Sequence, residues 1–199
     1  LVTGASGVLG SAIAQVLEEN EFNVYRHYNS HFIENGYCAD FSDYNSIDRM
    51  VEVLPGIDVL VNNAGVALYG LFQDISVDEF DNIFQINIKA PMYLTRKLLP
   101  YMLRQKAGHI VNISSIWGEE GASCEVDYSA AKAALIGFSK ALKLELEPSG
   151  IKVDCICPKM FKSPMTSRFF ESDFEDNYTS EIQNPTEIAK TILKLIQKT

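Results

Sequence analysis

The sequence predicts an α/β fold in which helices cover both faces of a mainly parallel, doubly wound sheet, giving three layers in a single domain. Short apolar runs of strand length alternate with stretches of helical periodicity along the chain. The 199 residues, 47% of them hydrophobic, are enough to bury one substantial core, most simply within one domain over 1–199. The binding crevice of such a sheet lies at the carboxyl ends of its strands.

Strands and helices are predicted in alternation. The predicted strands are 1–3, 22–28, 36–39, 59–62, 109–113 and 151–156, and the predicted helices are 7–20, 46–54, 77–106, 128–147 and 185–198. This order implies right-handed crossovers between parallel strands. Too few residues separate the second and third strands for a full crossover helix, and we expect the fold to lack a strand after the last helix.

The stretch 159–184 has no clear period and places several aromatic residues among acids and serines. We expect it to form a lid over a substrate site, with an irregular surface excursion as the alternative.

Charge and composition exclude several classes of function. The net charge of −9 repels phosphate backbones and anionic lipids, so we expect neither nucleic-acid nor membrane binding. The chain has no apolar run long enough to span a membrane, and its first residues lack the basic head of a signal peptide, so a cytoplasmic location is expected. The four cysteines are expected to be buried free thiols. Together with the three histidines they show no metal-ligand spacing, and no metal site is predicted.

The opening segment "LVTGASGVLG" carries Gly4, Gly7 and Gly10 between a predicted strand and an amphipathic helix. Glycines there permit a tight turn and the close approach of a pyrophosphate, while the helix N-terminus supplies amide donors. The segment predicts a dinucleotide-phosphate site, although alone it is also compatible with a purely structural turn.

Five further motifs follow, each at or just past a predicted strand end or on the next helix: "CADFSD" (38–43), "NNAG" (62–65), "QINIKAP" (85–91), "VNISS" (111–115) and "YSAAK" (128–132). In this order, and over nearly the whole chain, they resemble the single-domain short-chain dehydrogenase/reductase family. The resemblance implies a Rossmann-like fold and an NAD(P)-dependent oxidoreductase that interconverts a carbonyl and a secondary alcohol.

The pair Tyr128 and Lys132 is expected to carry the proton chemistry. The two residues lie one helical turn apart on the same face. A nearby cation favours phenolate and should lower the phenol pKa from about 10, which would make Tyr128 the general acid/base. The resemblance implies that Lys132 also hydrogen-bonds the nicotinamide ribose. Strand alternation lets only one of Ser114 and Ser115 face the crevice, and we assign Ser115 to bind the substrate oxygen.

Asn87 is the fourth expected catalytic residue. Because Pro91 has no N–H group, the Asn87 carbonyl loses its intrahelical partner four residues on and is free to hold a water. The resemblance implies a helix kink and a water-linked proton relay to the lysine. A plain kink is the alternative.

The resemblance also implies the residues that hold the cofactor. Asp40 would lie near adenine, although a turn or helix cap also explains it, and Asn63, Ala64 and Gly65 would line the adenosine side. The end of the second strand has no acid to repel a 2′-phosphate. NADP(H) is therefore favoured over NAD, with His27 and Asn29 as contacts and Ser6 where many NADP-preferring members carry a basic residue.

Two departures from the family pattern stand out. The spacing T-G-x-x-G-x-x-G is typical of the longer epimerase and dehydratase branch, but those members need a sizeable carboxyl-terminal domain. After Pro158, Lys159 replaces the usual glycine, and Ser163 replaces a threonine that contacts the nicotinamide carboxamide. Serine can make the same hydrogen bond, whereas lysine does not readily adopt a glycine-only backbone.

The expected partners are a small-molecule carbonyl or alcohol substrate and further copies of the chain. The resemblance implies a homodimer or homotetramer formed through the helices that contain Asn87 and Tyr128. A 3-oxoacyl carrier protein is a possible substrate, but acidic side chains flank the predicted entrance. The alternatives are an NAD(P)-binding regulatory protein without turnover and an epimerase- or dehydratase-like enzyme.

Overall fold

The computed structural model describes residues 1–169 and 182–197. Its helices are α1 (Val8–Glu18), α2 (Tyr44–Val53), α3 (Val77–Phe84), α4 (Ala90–Gln105), α5 (Trp117–Glu120), α6 (Val126–Leu146) and α7 (Pro185–Gln197). Its strands are β1 (His27–Tyr28), β2 (Tyr37–Cys38), β3 (Val59–Asn62), β4 (Gly108–Ile113) and β5 (Ile151–Ile156). The central part of the predicted lid, 170–181, lies outside the described residues.

All strands run parallel. β1 pairs with β2, and β4 lies between β3 and β5. Val2 joins the two groups, because it bridges Arg26 on one side and Val61 on the other. The strand order β2-β1-Val2-β3-β4-β5 is that of a doubly wound sheet. The predicted fold class is confirmed, and the predicted strand 1–3 is reduced to these two bridges at the centre of the sheet.

Helices cover both faces of the sheet. On one face, α2 and α4 bury Ile47 and Leu94 against Leu60 and Ile110. On the other face, α1 and α7 bury their apolar stripes, including Ile13 and Ile192, against Val61, Val111 and Ile113. The two cores give the three predicted layers, and they hold the carboxyl ends of the strands at one edge.

The elements differ from the sequence prediction in a few places. The predicted strand 22–28 is regular only at His27–Tyr28, and as expected no helix separates it from β2. The predicted helix 77–106 contains a π-helical turn, Gln85–Lys89, between α3 and α4. A short helix, α5, was not predicted. It follows β4 directly and positions Trp117 beside the crevice.

Within the described residues, none of the helices is both long and apolar enough to cross a lipid bilayer. The cysteines are free thiols, as predicted. They are not buried, however: Cys38 is exposed, and Cys124, Cys155 and Cys157 are half-buried. Among the described residues, no group of three or more histidine, cysteine, aspartate or glutamate side chains could hold a metal ion.

Candidate active site

A cleft of about 420 Å³ opens at the carboxyl ends of the strands. It runs from the glycine-rich turn between Val2 and α1, past Asn63 and Gly65, to Ser115 and Tyr128. Its size falls within the range of small-molecule and cofactor sites. The structure therefore brings the ends of several predicted motifs to a single cavity.

The glycine-rich turn has the backbone that its sequence predicts. Gly4 has a φ of +64°, and a Cβ atom there would lie 2.9 Å from the Cα of Ala64. A Cβ atom on Gly10 would lie 2.2 Å from the Gly4 carbonyl oxygen, so α1 can pack this closely only with glycine. Gly7 caps α1 without a side-chain hydrogen bond, and the first amides of the helix are therefore available to an anion.

Thr3 locks this turn to the "NNAG" segment, a role that the sequence analysis missed. Its hydroxyl accepts hydrogen bonds from the amides of Asn63 and Ala64, each at 2.9 Å, and donates to the Val61 carbonyl. The Asn63 side chain donates to the Thr3 carbonyl at 2.8 Å. The feature of the sequence that could have indicated this role is a threonine directly before Gly4.

The end of β1 forms the far wall of the cleft. Ser6, Asn29 and Ser30 are exposed cleft residues, and none of the described residues lining this end is acidic. Arg26 points elsewhere, because its guanidinium pairs with Glu18 at 2.6 Å. The cleft therefore offers hydroxyl and amide groups here.

His27 also borders the cleft. We expected its side chain to contact the cofactor, but both ring nitrogens have hydrogen-bond partners within the protein. The ring is 2% exposed, Nδ1 accepts a hydrogen bond from the Gly4 amide at 3.0 Å, and Nε2 lies 3.0 Å from the Ala39 carbonyl. Burial lowers the pKa of His27 to about 4, while the hydrogen bond to Ala39 partly opposes this. The imidazole is neutral at physiological pH and has no cationic role at this site.

Asp40, which the resemblance placed near adenine, makes local hydrogen bonds and is not among the residues that line the cleft. Its carboxylate turns back to accept hydrogen bonds from the Ser42 amide at 2.8 Å and the Ser42 hydroxyl at 2.7 Å. The neighbouring residues Ala39 and Phe41 line the cleft instead. Asp40 is a turn residue because a local amide and hydroxyl satisfy its carboxylate.

Asn87 lies in the π-helical turn and is buried. Its side chain donates to the carbonyls of Val66 and Ile83 and accepts from the Val66 amide at 3.3 Å. Gly65 is packed between two catalytic candidates: a Cβ atom there would lie 2.7 Å from Asn87 Oδ1 and 3.4 Å from Lys132 Nζ. The structure thus brings Asn87 close to Lys132, and it ties the loop after β3 to the irregular helical turn.

Ser114 and Ser115 both border the cleft, whereas strand alternation predicted that only one of them would face it, and their hydroxyl groups make different contacts. The Ser114 hydroxyl donates to the Lys132 carbonyl at 2.8 Å and is buried, so it holds α6 against β4. The Ser115 hydroxyl accepts the Trp117 amide at 3.2 Å and hydrogen-bonds Tyr128. Ser115 and Tyr128 both line the cleft.

Lys132 lies behind Tyr128. Its Nζ is 5.6 Å from the centre of the Tyr128 ring and donates to the Ile113 carbonyl at 2.9 Å. Burial lowers the pKa of Lys132 to about 8, while Cys155 and Cys157 partly oppose this. An ammonium group is therefore held inside the protein next to the phenol.

The expected lowering of the Tyr128 pKa is not found in the protein itself. Burial raises the pKa of Tyr128 to about 12; the Ser115 hydrogen bond lowers it, and the charge of Glu125 raises it further. The spacing along the helix indicates only that Tyr128 and Lys132 are close. The Lys132 ammonium donates to the Ile113 carbonyl, and burial has the largest effect on the pKa of Tyr128. In this state Tyr128 is a neutral phenol that carries a proton.

The segment after β5 completes the cleft. Pro158 and Ser163 line it, as expected, and the Ser163 hydroxyl lies 3.0 Å from Thr166 Oγ1. Lys159 is not among the residues with positive φ, so this position does not need the glycine that the family usually carries. Its amide donates to Gln183 Oε1 at 2.9 Å.

The cleft contains further residues that the sequence analysis did not assign, because they are apolar or lie on irregular segments. They include Trp117, Glu125, Met160, Phe161 and Met165. Glu125 is buried three residues before Tyr128. These residues form the cleft wall beyond Ser115 and Tyr128, where a substrate would lie.

The described residues fit a nicotinamide dinucleotide. The closely packed glycine turn and the uncapped start of α1 suit a pyrophosphate, and Ala64 and Gly65 line the cleft without large side chains. Hydroxyl and amide groups lie at one end and Ser115, Tyr128 and Lys132 at the other.

Comparisons with known proteins agree with this geometry. A family model described as short chain dehydrogenase matches residues 1–173. An uncharacterized oxidoreductase of Bacillus subtilis (strain 168), YmfI, is 37% identical over 88% of this chain and 80% of its own length. The 3-oxoacyl-[acyl-carrier-protein] reductase FabG of Aquifex aeolicus (strain VF5) is 32% identical over 98% of this chain and 78% of its own length.

Solved structures show the same fold. The closed form of serine dehydrogenase complexed with NADP+ superposes with a TM-score of 0.84 at 27% identity, over 96% of this chain and 86% of that chain.

Proposed function

The chain belongs to the short-chain dehydrogenase family, and from this premise we propose that it is an NAD(P)-dependent oxidoreductase that interconverts a small carbonyl compound and the corresponding secondary alcohol. The convergence of Ser115, Tyr128 and Lys132 on a cleft that begins at a glycine-rich turn carries this proposal. An ordinary helix face would not be expected to bury a lysine behind a tyrosine that hydrogen-bonds a serine.

A bound nicotinamide dinucleotide supplies the hydride in the reductive direction and takes it up in the oxidative direction. Tyr128 donates its proton to the carbonyl oxygen during reduction, for which the neutral phenol is the correct starting form. The Ser115 hydroxyl donates to the same oxygen and stabilises the charge that develops on it.

Lys132 supports the oxidative direction. In that direction Tyr128 must lose its own proton before it can accept the proton of the substrate hydroxyl, so a proton acceptor is needed nearby. With a pKa of about 8, Lys132 is also able to exchange a proton near neutral pH. Asn87 and the Lys132 ammonium lie on either side of Gly65, and the Asn87 side chain donates to the Val66 carbonyl and so holds the loop after β3.

We also propose that NADP(H) is preferred. Ser6, Asn29 and Ser30 offer hydroxyl and amide groups at the cleft end next to β1, where no described lining residue is an acid that would repel a 2′-phosphate. The similar serine dehydrogenase was solved with NADP+. The preference rests on these neutral groups, because His27 is buried and uncharged.

The proposed assembly is a homodimer or homotetramer formed through α4 and α6. A shallow groove on these helices is lined by Met92, Tyr93, Leu99, Phe138 and Leu142. Light scattering coupled to gel filtration measures the assembly directly, and a monomer at micromolar concentration would contradict it.

An assay of turnover distinguishes the proposed enzyme from the alternative, an NAD(P)-binding regulatory protein without turnover. Oxidation of NADPH is followed by absorbance with a panel of ketones, sugars and β-ketoesters, beside the Tyr128→Phe variant as the matched control. Turnover with at least one carbonyl in the wild-type protein alone supports the enzyme. Tight dinucleotide binding with no turnover over the whole panel would favour the regulatory alternative.

A further inference from the structure

His27 is a neutral bridge between two segments of the cofactor cleft. We propose that His27 is a positioning residue that fixes the glycine-rich turn and the segment after β2 for dinucleotide binding, and that it does not contact the 2′-phosphate. This inference rests on the proposed binding of NAD(P). It assigns the residue a role in affinity for both dinucleotides rather than in the choice between them.

The hydrogen bonds of the ring define one neutral tautomer. Because the Gly4 amide donates to Nδ1 at 3.0 Å, Nδ1 carries no proton. The remaining proton is on Nε2, which lies 3.0 Å from the Ala39 carbonyl and donates to it. An imidazolium ion would direct a second N–H group at the Gly4 amide and lose that contact.

The ring is held in place on every side. It stacks on Phe41 with ring centres 4.1 Å apart and an interplanar angle of 15°. The His27 amide donates to the Val2 carbonyl at 3.0 Å, and its carbonyl accepts the Ala5 amide at 2.8 Å. Both the backbone and the side chain of His27 therefore bind the turn that contains Gly4.

This arrangement matters because Gly4 has a left-handed backbone. The Gly4 amide has its partner inside the protein, so phosphate groups are left with the amides at the start of α1. Loss of the bridge would free Gly4 and leave a half-buried amide without its acceptor, and the turn would have to be ordered when the dinucleotide binds.

The two possible roles of His27 predict different selectivity. A ligand of the 2′-phosphate contributes to NADPH binding and hardly to NADH binding. A residue that positions the turn contributes equally to both, because the two dinucleotides share the adenosine and the pyrophosphate.

Three substitutions separate the contacts. His27→Phe keeps the ring and its stacking on Phe41 but removes both hydrogen bonds. His27→Asn places an acceptor near Nδ1, and His27→Gln places a donor near Nε2. Arg26→Gln is the matched control, because Arg26 is adjacent but pairs with Glu18 outside the cleft.

The dissociation constants of NADPH and NADH are measured by fluorescence titration, with circular dichroism to confirm folding. We expect His27→Phe to weaken both dinucleotides by the same factor, about 10- to 100-fold, with kcat at saturating cofactor largely retained. His27→Asn should recover more affinity than His27→Gln, and Arg26→Gln should match the wild type. If His27→Phe does not fold, the dissociation constants of His27→Asn and His27→Gln for the two dinucleotides are compared instead.

A loss confined to NADPH would overturn the inference and make His27 a phosphate ligand. Equal affinities of wild type and all His27 variants would also overturn it while leaving the proposed function intact. A wild-type protein that binds neither dinucleotide would overturn both.

Discussion

His27 and Lys132 are buried basic side chains at opposite ends of one cleft, with exposed fractions of 2% and 4%. Burial lowers both pKa values, to about 4 for His27 and about 8 for Lys132. At neutral pH the histidine is therefore uncharged and the lysine still carries its charge. The end that would bind adenosine is built from matched neutral hydrogen bonds, whereas the end that would perform chemistry retains a desolvated ion.

The charged end is tested most strongly by Tyr128→Phe. Removal of the hydroxyl eliminates the proposed general acid, so turnover should fall roughly 10²- to 10⁴-fold. The dissociation constant of NADPH should stay within about twofold, because the phenyl ring still fills the site. Steady-state kinetics and fluorescence titration measure the two quantities.

Unchanged turnover would remove Tyr128 from the mechanism and leave Lys132 as a structural cation. Tyr101→Phe is a suitable control, since the Tyr101 ring contacts Gly56 far from the cleft.

At the neutral end of the cleft, the protonation of His27 should lower the free energy of unfolding as the pH falls. The folded protein resists protonation of His27, while the unfolded chain binds that proton below about pH 6.5. As the pH falls from about 6.5 to 4, this difference lowers the free energy of unfolding by about 3 kcal/mol. Urea denaturation at several pH values should show a shallower loss in His27→Asn than in the wild type.

Only the difference between the two proteins is informative, because carboxylates titrate in both. Parallel curves for wild type and His27→Asn would mean that His27 titrates normally in the folded protein.

Lys132→Met tests how much the buried ammonium group lowers the free energy of unfolding. The lowered pKa makes the unfolded chain bind more protons between about pH 8 and 10.5, so the ammonium destabilises the fold below pH 8. The substitution should raise the free energy of unfolding at pH 7 by about 1–2 kcal/mol, after allowance for the lost hydrogen bond to Ile113.

That gain should shrink as the pH rises toward 10.5, and turnover should fall by about 100-fold or more. Destabilisation at pH 7 would show that the contacts of Lys132 outweigh its desolvation.

The smallest effect is expected at Asn29. In Asn29→Asp, a carboxylate repels the 2′-phosphate of NADPH and can accept a hydrogen bond from the 2′-hydroxyl of NADH. The ratio of the two dissociation constants should move toward NADH by about tenfold. Asn23→Asp adds the same charge on the exposed surface beside Tyr25 and should leave the ratio unchanged.

The sequence predicted which side chains line the cleft at β4 and α6 better than it predicted the side-chain contacts near β1 and β2. Ser115, Tyr128 and Lys132 lie at strand ends and on a helix, where spacing determines the direction of a side chain. Asp40 and His27 lie where short strands enter loops, and local hydrogen bonds turned Asp40 toward Ser42 and His27 toward Gly4. The pKa of Tyr128 was expected in the wrong direction because spacing reports proximity and not desolvation.

The π-helical turn at Gln85–Lys89 constrains how this protein can change. Such a turn holds one more residue than the α-helical path requires, so deleting a residue there would let α3 and α4 join as a regular helix and would remove the wide turn in which Asn87 contacts Val66. A deletion in this stretch would therefore change the contacts of Asn87 directly, and we expect the length of the stretch to outlast its sequence during divergence.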